Sequence, residues 1–482
     1  MNYELKNGAQ IEDETMSSIM DFLVEHKVME NNDYSWDNIG MATLLCDVYR
    51  DSIRYCPQNR EWYTWDNAWC KQADNGVIMD KLQTLLNLLF VYQQEEQNKD
   101  YGKYLHSIRN FRPMANIIET LKTLKEVRIN IWEMDSNPYL LNTPNGAFDL
   151  KTGERIEDAR QYNVTKKTMC CFPDFTTIRC DRWYEFINQI MSGNKEKATF
   201  LQRALGYSIL GVNREECMFI AYGSKTRNGK GTLFSSITAA LGSDYVGAIS
   251  PDLICEKRGK TTDFNAAQPA LSRVSNTRLV TMAESEMGVM LDSASIKTLT
   301  GRDKLITRGL YEKPYEFIPQ FTMWMNTNYL PNVNDLTVFD SNRIWVIPFE
   351  EHFTGESQDK DLKDVFAAPE NRPTILKWLY DGCVDYLKNG LRVPECVRKA
   401  TAEYHDIHDR ISRFLRETCE CTSDKDAVIQ RGDLYSLYRA WCSKAENKYS
   451  PMGSTSFYSE VKRKGFELVR RSNGWYFRGL KV

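Results

Sequence analysis

The sequence predicts an α/β chain in which a mainly parallel sheet lies between a helical N-terminal domain and a C-terminal unit of helices and a hairpin. The first observation is a series of short apolar segments, separated by helical patterns, which is typical of buried parallel strands. These strand candidates are residues 218–222, 279–283, 321–325 and 344–349. The second observation is helical spacing of apolar residues before residue 130, and the third is a basic, turn-rich pattern after residue 410.

The composition is that of an ordinary globular protein. Of the 482 residues, 42% are hydrophobic and 26% are charged, and the formal net charge is −3. The length suits about three domains, and the charge excludes a general polyanion-binding surface, so any nucleic acid contact must be local. Thirteen cysteines without a CxxC pair, and five scattered histidines, favour free thiols in a reducing compartment over a zinc site.

The first residues show no targeting or membrane signal. They lack the apolar segment of a signal peptide. Elsewhere no stretch approaches the roughly 20 apolar residues that a membrane-spanning helix needs. We therefore expect a soluble, cytoplasmic protein that makes no membrane contact.

The N-terminal domain, residues 1–172, is predicted to be mainly helical with small hairpins. Its clearest helix has apolar side chains on one face, at Ile78, Leu82, Leu85, Leu86 and Leu89. Hairpins are predicted in residues 54–70, around Asp66-Asn67, and in residues 139–154, with Asn145-Gly146 at the turn. Three tryptophans in the first hairpin could stack on bases, although filling a small core is the favoured interpretation: Trp62, Trp65 and Trp69.

A glycine-rich loop, GSKTRNGKGT, joins the strand candidate 218–222 to a helical pattern over residues 232–241. Such a loop turns backbone N–H groups and a helix N-terminus toward an anion, and Lys230 adds a cation for the β- and γ-phosphates. The sequence therefore predicts a site for a nucleoside triphosphate, formed by Gly223, Asn228, Gly229, Lys230, Gly231 and Thr232. The alternative is a glycine-rich turn that serves only to cap the helix.

Two departures from the common phosphate-loop pattern affect its chemistry. Five residues separate Gly223 from Gly229, where the common pattern has four. Gly231 follows Lys230, where the common pattern has a Ser or Thr whose hydroxyl binds Mg²⁺. Thr232 is the nearest hydroxyl and becomes the candidate magnesium ligand on the loop.

Polar side chains after the later strands are candidates for the rest of a hydrolytic site. Glu284 and Glu286 follow the strand candidate 279–283, where an acidic group could hold Mg²⁺ and orient water. We assign the metal to Glu284 and the polarisation of water to Glu286. Asn328 follows the next strand and could hold the attacking water, although an Asn-Tyr-Leu-Pro turn is the local alternative. Arg343 precedes the last strand candidate, where an arginine is usually a surface charge.

The order of these motifs resembles the superfamily 3 helicase module of the phage/plasmid and poxvirus primase-helicase family. The motifs are GSKTRNGKGT, RLVTMAESE, IKTLTGRDKLITR, MWMNTNYLP and NRIWVIPF, while PYLLNTPNGAFDLKTG and FLQRALGYSILG resemble the helical region before that module. The resemblance implies an AAA+-like P-loop ATPase core over residues 182–410. It further implies ATP and Mg²⁺ as cofactors, a homo-hexameric ring, hydrolysis between subunits with Arg343 acting in trans, and 3′→5′ movement along single-stranded DNA.

The same resemblance suggests further contacts and partners. Three cations around the IKTLTGRDKLITR segment become candidate pore contacts to DNA, with an ordinary solvated surface as the alternative: Lys297, Arg308 and Lys313. Asn342 stands where many relatives have a second arginine before Arg343. The chain offers no length for a primase domain, so we expect a stand-alone helicase in a bacterial host cytoplasm. Its expected partners are single-stranded and forked DNA and a separate primase or other replication proteins.

The C-terminal residues 411–482 are predicted to form a winged helix that binds DNA. Two helical patterns precede a hairpin whose turn is Ser472-Asn473-Gly474. Residues 461–482 contain seven Lys or Arg and one acidic residue. The candidate DNA contacts are Lys462, Arg463, Lys464, Arg470, Arg471 and Arg478. A solubilising surface or a protein-docking module is the alternative.

Two functions from different classes fit these observations. The first is an ATP-driven replicative helicase of a phage, plasmid or mobile element. The second is a nucleotide-dependent DNA-binding switch that hydrolyses ATP slowly and does not unwind DNA, which the departures in the loop favour. A DNA-packaging or loader ATPase is a third, weaker interpretation. Coupling of ATP turnover to strand displacement distinguishes the first two.

Overall fold

The computed structural model describes residues 9–173, 180–256, 268–283, 288–309, 314–355, 358–422, 424, 426–444 and 451–482. Three predicted site residues, Glu284, Glu286 and Lys313, lie outside the described residues. Their predicted roles stay predictions. Within the described ranges, no helix is both long enough and apolar enough to cross a membrane.

Helices and a small antiparallel sheet form the described N-terminal region. They are α1 (Ala9–Glu25), α2 (Asn38–Val48), β1 (Ile53–Cys56), β2 (Glu61–Trp65), β3 (Trp69–Lys71), α3 (Gly76–Glu95), α4 (Lys99–Ile108) and α5 (Phe111–Leu121). Helix α3 buries the five apolar residues that the sequence pattern predicted, from Ile78 to Leu89. They pack with buried residues of the other helices in one hydrophobic cluster that ends at Val127.

The tryptophan-rich segment forms a sheet in which β2 pairs with both β1 and β3. The side chains of Trp62 and Trp69 are 2% and 1% exposed, and Trp65 packs edge-on against Trp69 with 5.3 Å between ring centroids. The interpretation that these tryptophans fill a small core is therefore confirmed for Trp62 and Trp69. Neither ring is accessible for stacking on a base.

A second antiparallel unit and two helices connect this region to the main sheet. They are β4 (Leu140–Thr143), β5 (Gly146–Asp149), β6 (Arg155–Ile156), α6 (Asp181–Ile190) and α7 (Lys195–Tyr207). The predicted hairpin is present, with Thr143 paired to Gly146 across the turn. Leu141 and Phe148 of this hairpin lie in the same hydrophobic cluster as the buried faces of α6 and α7. One face of the hairpin thus packs with α6 and α7, whereas Leu140 and Ala147 on the other face belong to a small cluster that Trp65 of β2 packs against.

The α/β region contains the remaining elements up to residue 408. They are β7 (Met218–Tyr222), α8 (Lys230–Leu241), β8 (Val246–Ile249), α9 (Pro269–Val274), β9 (Leu279–Met282), β10 (Met290–Leu291), α10 (Ser293–Thr300), β11 (Leu305–Thr307), β12 (Tyr315–Phe317), β13 (Thr322–Thr327), β14 (Asn332–Val333), α11 (Thr337–Asp340), β15 (Ile344–Pro348), α12 (Leu362–Ala367), α13 (Arg372–Asn389) and α14 (Glu395–His408). Strands β11 and β12 form a separate antiparallel hairpin.

The main sheet has five strands in the order β15-β7-β13-β9-β8, and every pairing is parallel. Alternate residues of β7 enter hydrophobic clusters on opposite faces: Phe219 packs on one face, and Met218 and Ile220 on the other. Burial on both faces explains the continuous apolar run that predicted this strand. Because the strands are parallel, the carboxyl ends of β7, β13 and β9 lie side by side.

The C-terminal region is a small α/β unit with its own core. Its elements are α15 (Arg410–Thr418), β16 (Glu420–Cys421), β17 (Val428–Gln430), α16 (Arg431–Cys442), α17 (Ser454–Arg463), β18 (Leu468–Arg471), β19 (Gly474–Arg478) and β20 (Leu480–Lys481). The predicted hairpin is β18–β19, in which Arg471 pairs with Gly474. Strand β17, which was not predicted, adds to the other edge of β19.

A buried carboxylate joins the start of α15 to the residue that follows α17. Asp409 accepts hydrogen bonds from the backbone N–H of Ser412, at 3.0 Å, and from the Lys464 ammonium at the end of α17. Burial raises the pKa of the Asp409 carboxyl, but the hydrogen bonds from Lys464 and Ser412 outweigh it, so its pKa lies below the ordinary value. Asp409 therefore stays charged and fixes α15 against α17.

Candidate nucleotide-binding site

The glycine-rich loop between β7 and α8 is tightly packed at Gly223 and Gly229. A Cβ atom on Gly223 would come within 2.5 Å of the Phe349 carbonyl oxygen and 2.2 Å of the Asn228 amide nitrogen. Gly229 has φ +86°, and a Cβ there would lie 2.3 Å from the Ile190 side chain on α6. Asn228 is 3% exposed and its amide donates to the Lys225 carbonyl oxygen at 2.6 Å. Both glycines are thus required by space, and Asn228 braces the loop.

Lys230 begins helix α8 and points into the protein at the carboxyl edge of the sheet. Its side chain is 3% exposed. The ammonium donates to the Asn328 amide oxygen at 2.9 Å and to the Gly223 carbonyl oxygen at 3.4 Å. Asn328 directly follows β13, which is the neighbour of β7 in the sheet. Two predicted site residues that are 98 positions apart in the sequence therefore touch.

A cavity of about 870 Å³ opens above this edge of the sheet. Its lining includes seven residues from the loop and the start of α8, two asparagines at the end of β13, four residues of α6, and six residues that follow β15. The loop residues are 226–232, the asparagines are Asn326 and Asn328, and the residues after β15 are Phe353, Gln358, Asp359, Lys360, Leu362 and Lys363. The first helix turn has backbone N–H groups without helical partners, which is where an anion is stabilised. The cavity is therefore large and polar enough for a phosphate-bearing ligand.

The segment after β15 is fastened to the loop by two hydrogen bonds. The Phe353 N–H donates to the Arg227 carbonyl oxygen at 2.9 Å, and a ring nitrogen of His352 lies 2.6 Å from the Thr226 carbonyl oxygen. Across the cavity, Arg182 on α6 pairs with Asp359. These contacts hold Phe353 and residues 358–363 beside the loop, where they form one side of the cavity.

The predicted magnesium ligands are only partly within the described residues. Thr232 lines the cavity and is partly exposed, as a ligand on the loop should be. Glu284 and Glu286 follow β9 but fall outside the described ranges. Among the residues that the structure describes, no group of three or more His, Cys, Asp or Glu side chains forms a metal site. A metal at Thr232 would have to draw its other ligands from bound phosphate, water or Glu284.

Arg343 lies at the amino ends of the sheet strands, whereas the loop lies at their carboxyl ends. It precedes β15, whose amino end pairs with the amino end of β7, whereas the loop follows the carboxyl end of β7. Its guanidinium makes an ion pair with Glu216 at 2.8 Å and donates to the Thr300 hydroxyl at 2.9 Å. The side chain is 18% exposed. The structure therefore does not bring Arg343 to the cavity of its own chain.

The predicted pore cations occupy different environments. Lys297 on α10 makes an ion pair with Asp335 at 2.9 Å and also donates to Thr337. Burial raises the pKa of Asp335, but hydrogen bonds from Thr337 and Lys297 outweigh it and lower the pKa below its ordinary value. Lys297 is thus held by its own chain. Arg308, directly after β11, is exposed beside the β11–β12 hairpin.

The six basic residues predicted to bind DNA in the C-terminal region divide into two groups. One group is engaged in ion pairs: Arg463 with Glu460 at 3.0 Å, Lys464 with Asp409, and Arg478 with Glu467 at 2.7 Å. The other group is exposed and comprises Lys462, Arg470 and Arg471. Arg470 lies over the Trp475 ring and Arg471 over the Tyr476 ring, with 5.7 and 5.8 Å to the centroids.

Sequence reasoning missed the wall of the cavity that faces the loop. Arg182 lies before the sheet, and Lys360 and Lys363 lie after its last strand, yet all three line the cavity. No local pattern marks these cations, because in residues 359–364 lysines alternate with aspartates that neutralise them in any count of charge. Only the tertiary fold brings them together.

Comparisons with known proteins agree with the order of motifs. A family model described as "D5 N terminal like" matches residues 42–192. "Putative helicase L207/L206" of Acanthamoeba polyphaga mimivirus is 23% identical, over 82% of this chain and 44% of that protein. "Primase D5" of Fowlpox virus (strain NVSL) is 22% identical, over 61% of this chain and 36% of that protein. The chain spans less than half the length of these relatives.

A solved structure shows the same fold over most of the chain. The A form apo structure of the NrS-1 C-terminal region superposes with a TM-score of 0.51 at 12% identity, covering 92% of this chain and 99% of that one. The shared fold, the matched family model and the relatives confirm the resemblance expected from the motifs. The chain is thus similar to D5-like primase-helicases, and its residues 42–192 match the N-terminal domain model of that family.

Proposed function

We propose that the chain is an ATP-dependent DNA helicase whose AAA+-like P-loop core hydrolyses ATP in the cavity beside Lys230. The observation that carries this proposal is the contact between Lys230 and Asn328, which joins the glycine-rich loop to the end of the neighbouring strand. A loop that only capped a helix would need neither a buried ammonium nor a polar partner beside it, since burying a charge is costly. Relatives named as helicases, from several large DNA viruses and a virophage, support the same activity.

The lining of the cavity suits a triphosphate. It contains five cationic side chains, Arg182, Arg227, Lys230, Lys360 and Lys363, and two acidic ones, Glu185 and Asp359. Loop N–H groups and the Lys230 ammonium would bind the phosphates, and Asn328 would orient the attacking water. Mg²⁺, held by Thr232 and Glu284, would neutralise charge that develops on the phosphates, and Glu286 would polarise the water. Gly231 offers no hydroxyl, so Thr232 carries this role on the loop.

A ring of six copies is part of the proposal. Arg343 lies at the amino ends of the strands, away from the cavity of its own chain. If it contacts a phosphate, that phosphate must be bound in the cavity of another copy. A head-to-tail interface that closes into a ring would supply one such arginine to every site. Arg308, with Lys297 and Lys313, would then face single-stranded DNA in the central pore, and movement would be 3′→5′.

One experiment tests the helicase assignment. The purified chain is given ATP, Mg²⁺ and a forked DNA duplex with a labelled strand, and ATP turnover and strand displacement are measured together. We expect turnover to rise with single-stranded DNA and to be accompanied by displacement of the labelled strand. Turnover without displacement would favour the DNA-binding switch instead, and an absence of both would contradict the ATPase assignment itself.

We propose that the C-terminal unit is a winged helix that binds duplex DNA. Helix α17 follows α16 and precedes the β18–β19 hairpin, which is the order that a recognition helix and a wing require. The exposed face of α17 carries small hydroxyl side chains and a lysine, at Thr455, Ser456, Ser459 and Lys462. Arg470 and Arg471 extend this face onto the hairpin and could contact phosphates.

Exposed and paired arginines on the hairpin should differ in their effect on DNA binding. For the Arg470→Gln, Arg471→Gln double variant we expect weaker duplex binding and a salt slope, log Kd against log salt, that is smaller by about 2. Arg478→Gln is the matched control, because Arg478 already pairs with Glu467 at 2.7 Å. Fluorescence anisotropy across a salt series measures both. Equal slopes in the double variant and the wild type would show that this face does not bind DNA.

A further inference from the structure

The wall of the cavity that faces the glycine-rich loop carries cationic side chains whose role in ligand binding has not been described above. Lys360 and Lys363 line this wall together with Arg182. Arg182 is already paired with Asp359. Lys363, in contrast, makes no ion pair or side-chain hydrogen bond with any residue that the structure describes. An ammonium that lines a cavity without a partner is available to an anionic ligand.

The ammonium group of Lys363 lies beside Gly231 of the loop. A Cβ atom placed on Gly231 would have one neighbour within 4 Å, the Lys363 ammonium nitrogen at 3.9 Å. In the common phosphate loop this position holds the hydroxyl that binds magnesium. In this chain a cation from α12 therefore lies beside the place where that hydroxyl would stand.

Helix α12 is packed firmly enough to hold the lysine there. Phe366, one turn after Lys363, is fully buried, and its ring lies 5.2 Å from the Phe186 ring and 5.2 Å from the Trp183 ring on α6. Phe186 in turn lies 3.3 Å from the place of a Cβ atom on Gly229. One aromatic cluster thus fixes α12, α6 and the loop relative to one another, so the backbone that carries Lys363 is placed beside the loop before any ligand binds.

We propose that Lys363 is a phosphate-binding residue that contacts the triphosphate from the side opposite to Lys230. The proposal rests on the assignment of the cavity to a nucleoside triphosphate. Two ammonium groups, one from each wall, would then neutralise the phosphate oxygens, and Gly231 would keep the space between them open. A consequence follows for the metal. The nucleotide should retain part of its affinity when Mg²⁺ is absent, because Lys363 supplies positive charge at the position where the loop lacks a hydroxyl.

The test compares nucleotide binding with and without metal. A fluorescent, non-hydrolysable ATP analogue is titrated into the wild type and Lys363→Gln, in excess Mg²⁺ and again in EDTA. Loss of one charge-assisted contact should raise Kd about tenfold in EDTA, and by less in Mg²⁺, where the metal screens the phosphates. Lys363→Arg should retain most of the affinity. Lys388→Gln is the control, since Lys388 is exposed on α13 and is not part of the cavity.

The possible outcomes separate this inference from the proposed function. If the wild type binds the ATP analogue and Lys363→Gln binds it equally well in EDTA, the role of Lys363 is refuted and the nucleotide site stands. Wild-type binding that disappears completely in EDTA would also refute it. If the wild type binds no nucleotide under either condition, the assignment of the cavity fails, and the role of Lys363 fails with it.

Discussion

Replacing Lys230 with alanine is expected to lower ATP turnover by at least about 10²-fold, because a preorganised cation beside the transferred phosphate is lost. The same change should leave the fold intact. Lys230 is the first residue of α8, where alanine is a good helix former, and the lost hydrogen bonds to Asn328 and Gly223 should cost about 1–3 kcal/mol of stability. Turnover is measured with and without single-stranded DNA, and thermal melting reports on the fold.

Two further variants make this result decisive. Lys225→Ala removes an exposed lysine of the same loop that does not line the cavity, and it should keep wild-type turnover. Lys230→Met keeps most of the buried volume and removes only the charge, so it should be as inactive as Lys230→Ala even if the alanine variant is less stable. Wild-type turnover in Lys230→Met would exclude the cavity as the site of hydrolysis.

The strands beneath this site could be predicted because a strand that is buried on both faces has a continuous run of apolar residues. Strands β7 and β15 are continuous apolar runs, and their predicted positions agree with the structure to within one residue. Strand β8 was missed because only two of its four residues, Val246 and Ile249, are buried. A short edge strand that contains Gly247 offers neither a long apolar run nor a clear alternation.

Some residues of the site could be predicted from local sequence spacing, and others come together only in the folded chain. Gly223, Gly229 and Lys230 are close together in the sequence, so their spacing alone predicted the loop. The opposite wall is assembled from α6 and from residues beyond β15, which approach the loop only after the sheet and its helices have packed. Lys363 could not be predicted, because its significance depends on its distance of 3.9 Å from a side chain that Gly231 does not have.

The contacts of Arg343 within its own chain bear on whether it can act on a neighbouring subunit. The guanidinium is bound by Glu216 and Thr300 of its own chain, yet the proposed ring requires it to reach the site of a neighbour. Either the ion pair with Glu216 is broken when the ring forms, or Arg343 has only a structural role. Glu216 also lies 3.4 Å from the Arg302 guanidinium, so it can keep a cationic partner if Arg343 leaves.

Arg343→Ala is expected to lower ATP turnover by about 10³-fold or more, as for arginines that stabilise a transition state from across an interface. Mixing separates this role from a structural one. In an equal mixture with Lys230→Ala subunits, about a quarter of the sites in a head-to-tail ring combine an intact loop with an intact arginine, so about a quarter of the wild-type turnover should return. Turnover is measured over a series of mixing ratios at constant total protein.

Glu216→Gln is the matched control for this prediction, because it breaks the same ion pair from the other side. If Glu216 only restrains Arg343, the glutamine variant should keep or exceed wild-type turnover, since the arginine is released toward the neighbouring site. If the ion pair is needed for the fold, both variants should lose turnover and melt at lower temperature, and mixing should restore nothing. The absence of recovery at every ratio would therefore assign Arg343 to the support of α10 and β15 and leave the transition state without an arginine from the neighbour.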